Sequence, residues 1–244
     1  IGSLSLDSNT TASDNTAIGY NSLTANTTGI QNTSIGSLSL DSNTNASDNT
    51  AIGYNSLTDN TTGVQNTAIG SLSLQSNTTA SNNTAIGYNA LNININGTQN
   101  TAIGSLSLQL NTASNNTAIG YNSLSTNTTA SNNTAIGYNS LAVNTTGTRN
   151  TAIGSLSLDS NTTASDNTAI GYNALTANIT GTQNTAIGSL SLDSNTANNN
   201  TAIGYNSLTA NTTGTQNTAI GSLSLDSNTT ASDNTAIGYN SLTA

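Results

Sequence analysis

The chain has 244 residues drawn from only 12 amino-acid types, and it carries one cation, Arg149, against ten Asp for a net charge of −9. Because Cys, His, Lys and Glu are absent, the composition argues against disulfides, metal centres and acid–base catalysis, and a single Arg argues against nucleic-acid binding. No apolar run approaches the roughly 20 residues that span a bilayer. We therefore expect no enzyme, no catalytic, cofactor-binding or metal-binding residues, no cofactor, no nucleic-acid partner and no membrane insertion.

A repeat explains why apolar residues make up only 33% of the chain and aromatic residues 3%, too little for a compact globule of this length. The dipeptide Ile-Gly recurs from Ile1 to Ile237 at fourteen spacings, of which twelve are 17 residues and two are 16. No linker interrupts the series. The sequence therefore predicts one uninterrupted array over residues 1–244 with fifteen units, the last of them incomplete.

The units share a register when each is numbered from its Ile as position 0. Position 1 is always Gly, position 5 is always Leu, and every complete unit has Asn at position 8 and Asn-Thr before its last residue. Two unit types alternate, IGSLSLDSNTTASDNTA and IGYNSLTANTTGTQNTA. Neither type shows the apolar spacing of a helix.

The order of residues within a unit predicts its local structure. We expect a strand at Asn-Thr-Ala-Ile, with the Ile inward and the Ala on the opposite face, and then a bend at Gly. A second short strand is expected to end at the position-5 Leu, followed by a turn through Asn-Thr-Thr. Both 16-residue units lack the residue after Asn-Thr, at 110–113 and 194–197, which indicates a corner of the coil at that point.

The predicted fold class is all-β, a parallel β-solenoid or β-roll with coils of about 17 residues. One Ile and one Leu cannot fold a unit alone, but stacked units bury them in two columns. The predicted core residues are Ile18, Leu23, Ile35, Leu40, Ile52 and Leu57.

The invariant Asn at position 8 has two explanations. The side chains form a ladder of amide hydrogen bonds from coil to coil, or they carry glycans on the Asn-x-Ser/Thr sequons that ten of them make. Four units, among them those of Asn43 and Asn111, keep the Asn and lose the sequon, which favours the ladder. The predicted ladder residues are Asn9, Asn26, Asn43, Asn60 and Asn77, and the candidate glycosylation sites are Asn26, Asn60 and Asn211.

Tyr occurs only at position 2 of one unit type, and the other type has Ser there with Leu at position 3. The Tyr have two explanations. They form a stripe that contacts a neighbouring chain or a carbohydrate, or they pack locally over the small residue in the coils above and below. The Leu recur at every second coil, about 9.6 Å apart, and are the better interface candidates. The candidate interface residues are Tyr20, Tyr54, Leu38 and Leu72.

The acidic residues are interpreted as a source of solubility. Asp7 and Asp14 typify their pairing within a unit, but Gln75 and Gln109 replace Asp in other units and no calcium-binding motif is present. Arg149, in a place usually held by Gln or Asp, is interpreted as a surface variant. An ice-binding solenoid is a minor alternative function. Arrays of Thr that bind ice usually form Thr-x-Thr pairs on a flat strand, and this sequence does not have that pattern.

The motif N-T-A-I-G-x-x-[SA]-L, repeated over the whole chain, resembles the head repeats of trimeric autotransporter adhesins. The longer form N-T-A-I-G-Y-N-[SA]-L-x-x-N-T-T-G is similar to the arrays of phage tail-fibre proteins and related surface fibres. The adhesin resemblance implies a left-handed parallel β-roll, intertwined or packed as a homotrimer and displayed outside the cell, although the adhesin head repeat is shorter than this unit. It implies no catalytic residues.

The predicted function is that of a non-catalytic structural fibre or filament protein, forming a rigid self-associating rod in the extracellular space or at a cell or virion surface. The alternative is an adhesin or tail-fibre segment that binds surface glycans. The array starts at Ile1 and stops at Ala244 in mid-unit without caps. We therefore expect either a segment of a longer chain or a subunit that stacks end to end in a filament.

Overall fold

The computed structural model describes residues 1–243, and the backbone divides into two segments, Ile1–Ile119 and Gly120–Ala244. Ala244, where the predicted incomplete unit ends, lies outside the described residues. The first segment contains strands β1 Thr16–Ile18, β2 Thr33–Ile35, β3 Thr50–Ile52, β4 Thr67–Ile69, β5 Thr84–Ile86, β6 Thr101–Ile103 and β7 Thr117–Ile119. The second contains β8 Thr134–Ile136, β9 Thr151–Ile153, β10 Thr168–Ile170, β11 Thr185–Ile187, β12 Thr201–Ile203, β13 Thr218–Ile220 and β14 Thr235–Ile237.

Within each segment, consecutive strands pair in parallel and in chain order, and equivalent residues of adjacent coils lie side by side. In the pairing of β3 with β4, for example, Thr50 lies beside Thr67 and Ile52 beside Ile69. Backbone hydrogen bonds continue beyond the strands, as from the amide of Gly53 to the carbonyl of Ile35 at 2.8 Å. The predicted fold class, an all-β parallel β-solenoid with coils of about 17 residues, is confirmed.

The inward face of the strands is formed by Ala, or by Ser34 in β2, and the predicted orientation of the Ile is wrong. Ala51 is fully buried, and its neighbours Thr50 and Ile52 are partly exposed. Ile18 is 40% exposed, and Ile35 is also only partly buried, so none of the three Ile predicted for the core belongs to it. The strand alternates as expected, but its phase differs by one residue, and such a change exchanges the two faces.

The interior of each coil is narrow, which explains why Ala rather than Ile points inward. Leu23, Leu40 and Leu57 are fully buried, in the positions that the sequence assigned to them. The other buried positions hold Ser or Ala at position 4, Asn at 8, Gly or Ala at 11 and Asn at 14. With one Leu in each coil, the strand adds only a small inward side chain, Ala or the Ser34 of β2, at native packing density.

The predicted second strand is wrong, because the chain from position 2 to position 5 forms a turn. Leu38 and Leu40, at positions 3 and 5, have φ angles of 59° and 49°. A left-handed conformation costs a non-glycine residue about 1–2 kcal/mol. The backbone remains bonded to adjacent coils, since the Leu38 amide donates to Tyr20 and the Leu40 amide to Ser56. The turn directs the position-5 side chain inward, where its burial offsets the conformational cost.

Close stacking explains the invariant Gly at position 1. Gly53 has a φ of 138°, and a Cβ added to it would lie 2.6 Å from the carbonyl oxygen of Gly70 in the next coil. Any side chain there would push adjacent coils apart and break their hydrogen bonds.

Candidate functional site

A ladder of amide hydrogen bonds follows the position-8 Asn, which confirms the predicted ladder. From Asn26 to Asn77, the Nδ2 atom of each position-8 Asn donates to the Oδ1 atom of the Asn in the preceding coil, and also to the position-11 carbonyl of its own coil. The ladder distances are 3.3, 2.9, 3.1 and 2.9 Å along Asn9, Asn26, Asn43, Asn60 and Asn77.

A second column of buried Asn, at position 14, connects the coils through the backbone. The backbone amide of Asn49 donates to Oδ1 of Asn32 at 3.1 Å, and Nδ2 of Asn49 donates to the carbonyl of Gly63 in the next coil at 2.9 Å. This role of the position-14 Asn was not predicted from the sequence. The signal that could have revealed it is the invariance of Asn at position 14, which is as strict as that at position 8.

The position-8 ladder changes at the two short units. Nδ2 of Asn94 bonds Asn77 at 3.0 Å, but within residues 1–243 the buried Oδ1 of Asn94 accepts no hydrogen bond. The next coil is one residue shorter, so Nδ2 of Asn111 donates to the carbonyl two residues on instead of three. Oδ1 of Asn178, before the second short unit, is likewise without a donor in the described part of the chain. The deletions lie outside the strands, as the sequence indicated, but they interrupt the ladder.

The three candidate glycosylation sites are inaccessible in this fold. Asn26, Asn60 and Asn211 are fully buried. Both donors of each amide group are used, as at Asn211, whose Nδ2 bonds Asn195 at 2.7 Å and Gly214 at 2.9 Å. An N-linked glycan would replace one of these protons and would require an exit through the packed coil. The assignment of these Asn as glycan acceptors is therefore wrong for the folded chain.

The predicted interface residues lie on the surface of the turn that follows each strand. Tyr20 and Tyr54 are 54% and 53% exposed. Leu38 and Leu72 are partly exposed, and their amides donate to the carbonyls of Tyr20 and Tyr54 in the preceding coils at 2.9 Å. We call this row of the first segment the Tyr–Leu stripe, which consists of Tyr20, Leu38, Tyr54, Leu72, Tyr88 and Leu106.

The second segment shows how Tyr side chains align when they occupy consecutive coils. Tyr121 and Tyr138 belong to two adjacent coils of the same type, where the alternation of the sequence is broken. Their rings stack with centroids 5.7 Å apart and an interplanar angle of 11°. In the regular array, the coils adjacent to a Tyr have Ser at the equivalent position, so its ring has no aromatic neighbour there.

The charged residues lie apart from the interior columns. Arg149 is exposed and forms a bidentate ion pair with Asp166, at the equivalent position of the next coil, with distances of 2.6 and 2.9 Å. Hydrogen bonding from Arg149 lowers the pKa of Asp166. Burial instead raises the pKa of Asp59, Asp159 and Asp193.

Neither a metal-binding cluster nor a membrane span occurs in the described part of the chain. No three acidic side chains of residues 1–243 come together in a group that could hold a metal ion. The same residues include no helix with the length and apolarity required to cross a membrane. Comparison with protein-family models, curated proteins and solved structures finds no match to this chain.

Proposed function

We propose that this chain is a non-catalytic structural segment of an extracellular or surface-displayed fibre, and that it self-associates through the Tyr–Leu stripe. The supporting observation is that Leu72 is partly exposed and left-handed, with a φ of 61°. The absence of His, Cys, Lys and Glu from the sequence supports a non-catalytic role.

The conformation of the stripe Leu favours a role outside its own coil. In the alternate units the same position holds Asn, for example Asn55 with a φ of 52°. Asn adopts this conformation more readily than Leu and is better hydrated at a surface. A Leu at this position therefore adds backbone strain and exposes apolar area, and association would recover about 25 cal/mol for each Å² that it buries.

The Tyr side chains add to the same surface. A half-exposed ring offers a large apolar area with few rotatable bonds, which is typical of residues that dominate protein interfaces. The stripe contains no charged residue, so two copies can approach without electrostatic repulsion along it. The resemblance to adhesin head repeats favours a homotrimer, and the solenoid architecture also allows end-to-end filaments.

The test replaces stripe residues with those of the other unit type. We expect Tyr54→Ser with Leu72→Asn to weaken self-association, because each new residue already occurs at that position in adjacent coils. Thr62→Ser with Thr79→Ser, at exposed positions away from the stripe, serves as the control. Sedimentation velocity gives the mass of the assembly, and electron microscopy gives its mass per length. A wild-type chain that stays monomeric at high concentration, or a stripe variant that associates as well as the control, would refute the proposal.

A second candidate function, binding of surface glycans, is favoured by the half-exposed Tyr rings. Rings at every second coil lie about 9.6 Å apart and could each stack against a sugar of an extended glycan. Titration of the monomeric chain with surface oligosaccharides tests this function, with Tyr54→Ser and Tyr88→Ser expected to weaken saturable binding. Equal binding by the variant and the wild type would contradict it.

A further inference from the structure

The outward face of the strands is a surface that the proposed function does not use. Because Ala points inward, Thr at position 15 and Ile at position 0 both point outward, as Thr50 and Ile52 do on either side of buried Ala51. We call the outward side chains of β1–β7 in the first segment, and of β8–β14 in the second, the Thr–Ile faces. Each face is a row of seven Thr beside a row of seven Ile.

The hydroxyl groups of these faces are free to bind a ligand. None of the strand Thr hydroxyls makes a hydrogen bond within the described residues, and none belongs to a residue with a further unspecified contact. Some Thr elsewhere in the coil are paired, since Oγ1 of Thr24 donates to the carbonyl of Leu4 at 2.9 Å and Oγ1 of Thr27 donates to that of Thr44 at 3.1 Å. Exposed Thr at position 10, such as Thr62, also make no side-chain hydrogen bond within the described residues, so the strand hydroxyls differ from them by their arrangement on a sheet. The strand Thr are partly exposed, except Thr16 and Thr235, which are exposed.

The side chains of each face form a regular lattice. In-register pairing sets equivalent residues about 4.8 Å apart from strand to strand, and the Thr and Ile of one strand lie about 6.6 Å apart. The strand-to-strand repeat is close to a spacing of water molecules on a face of hexagonal ice. No strand contains a charged residue that would hold water in a different arrangement.

The chain keeps this lattice with unusual strictness for a partly exposed surface. All fourteen strands have Thr at the first residue and Ile at the third, whereas exposed position 13 holds Asp, Gln, Asn or Arg. Strand propensity explains a β-branched residue at both positions. Propensity alone would equally accept Val at either position, or Ile at the first residue and Thr at the third. A requirement for hydroxyl and methyl groups at fixed intervals explains the pattern better.

A second copy of the chain is a poor occupant of the face. Dry packing of two sheets would bury seven Thr hydroxyls from each segment, and each one left without a partner would cost about 1–3 kcal/mol. A lattice of water satisfies these hydroxyls, and the methyl groups of Thr and Ile restrict the orientation of the water that covers them. Many weak contacts made together by a stacked array add to a strong attachment.

We propose that the Thr–Ile faces bind the surface of ice. The Thr hydroxyls exchange hydrogen bonds with water molecules of the crystal, and the Ile side chains contact the water between them. This binding uses the strand face, whereas self-association is proposed for the turn, so each can fail independently of the other.

The experiment measures incorporation of the fluorescently labelled 244-residue chain into a slowly growing ice hemisphere, together with thermal hysteresis. We expect the wild-type chain to enter the ice and to depress the freezing point below the melting point. A variant with Thr67→Lys and Thr84→Lys in the middle of the first face, and Thr168→Lys and Thr185→Lys in the middle of the second, is expected to lose most of both effects, because the long charged side chains prevent close approach. The matched control carries Thr62→Lys, Thr79→Lys, Thr146→Lys and Thr163→Lys at exposed positions outside the strands and should retain both effects.

Each outcome is decisive if circular dichroism shows that both variants remain folded. Exclusion of the wild-type chain from ice, without thermal hysteresis, would overturn the proposal whatever the variants do. Equal incorporation of the face variant and the control would overturn it too. A dimer in sedimentation that dissociates only in the face variant, with no ice binding by the wild type, would assign the face to a second copy instead.

Discussion

Removing one rung of the position-8 ladder is expected to destabilise the chain far more than removing a surface Asn. In the wild type, Nδ2 of Asn60 donates to Asn43 at 3.1 Å and to Gly63 at 2.9 Å, and its Oδ1 accepts from Asn77 at 2.9 Å. Asn60→Ala leaves the buried Oδ1 of Asn43 without a donor and one N–H of Asn77 without its acceptor, whereas the Gly63 carbonyl still accepts from Asn49. At about 1–3 kcal/mol for each of these two losses, the free energy of unfolding should fall by about 2 kcal/mol or more.

The measurement is urea unfolding followed by far-ultraviolet circular dichroism, with Asn96→Ala as the control. Asn96 is exposed, and its substitution should change the free energy of unfolding by less than about 0.5 kcal/mol. Because long repeat arrays can unfold in parts, amide exchange of the Gly63 coil provides a local readout of the same loss. A shift for Asn60→Ala no larger than that for Asn96→Ala would refute the view that the buried amides hold adjacent coils together.

Two further predictions concern the short units and the acidic residues. Inserting a Thr after Thr112 restores a 17-residue unit and should give Oδ1 of Asn94 a donor. The free energy of unfolding, measured in urea, should then rise by about 1 kcal/mol. The same insertion after Thr79 disrupts an intact unit and should lower the free energy of unfolding. Burial raises the pKa of Asp159 and Asp193, so between pH 7 and about pH 4 the folded chain binds more protons than the unfolded chain and becomes more stable as the pH falls. The exposed ion pair acts in the opposite sense but is screened by solvent. Calorimetry over this range checks the sign, and a melting temperature that decreases steadily with acidification would contradict it.

Repetition makes the polar interior tolerable. An isolated Asn60 amide in a core would be costly, because its donors and its acceptor would need partners from unrelated parts of a fold. In a stacked array, the equivalent Asn of adjacent coils and a carbonyl of the same coil supply them. The same dependence makes the array sensitive to unit length, as the unpaired Oδ1 of Asn94 shows. A change of one residue in one coil alters a hydrogen bond in the coil before it.

Some features of the molecule follow from the sequence alone. The recurrence of Ile-Gly implies stacked coils, since no single unit has enough apolar residues to fold by itself. Asn43 keeps the Asn although its sequon is lost, and this identified the ladder. A side chain that must hydrogen-bond the equivalent Asn of the adjacent coil cannot vary. The invariant Leu at position 5 was correctly identified as a core residue because no polar alternative occurs in any unit.

The tertiary structure alone decided which side of each strand faces inward. Thr-Ala-Ile is compatible with either phase, and the greater hydrophobicity of Ile favoured the wrong one for Ile52. The choice depends on the width of the coil, which is set by the left-handed turn that brings Leu57 into the interior and leaves space only for Ala51. Neither the turn nor that width can be obtained from residue patterns, because left-handed Leu contradicts its usual preference. The outward Thr–Ile faces therefore emerged only from the folded chain.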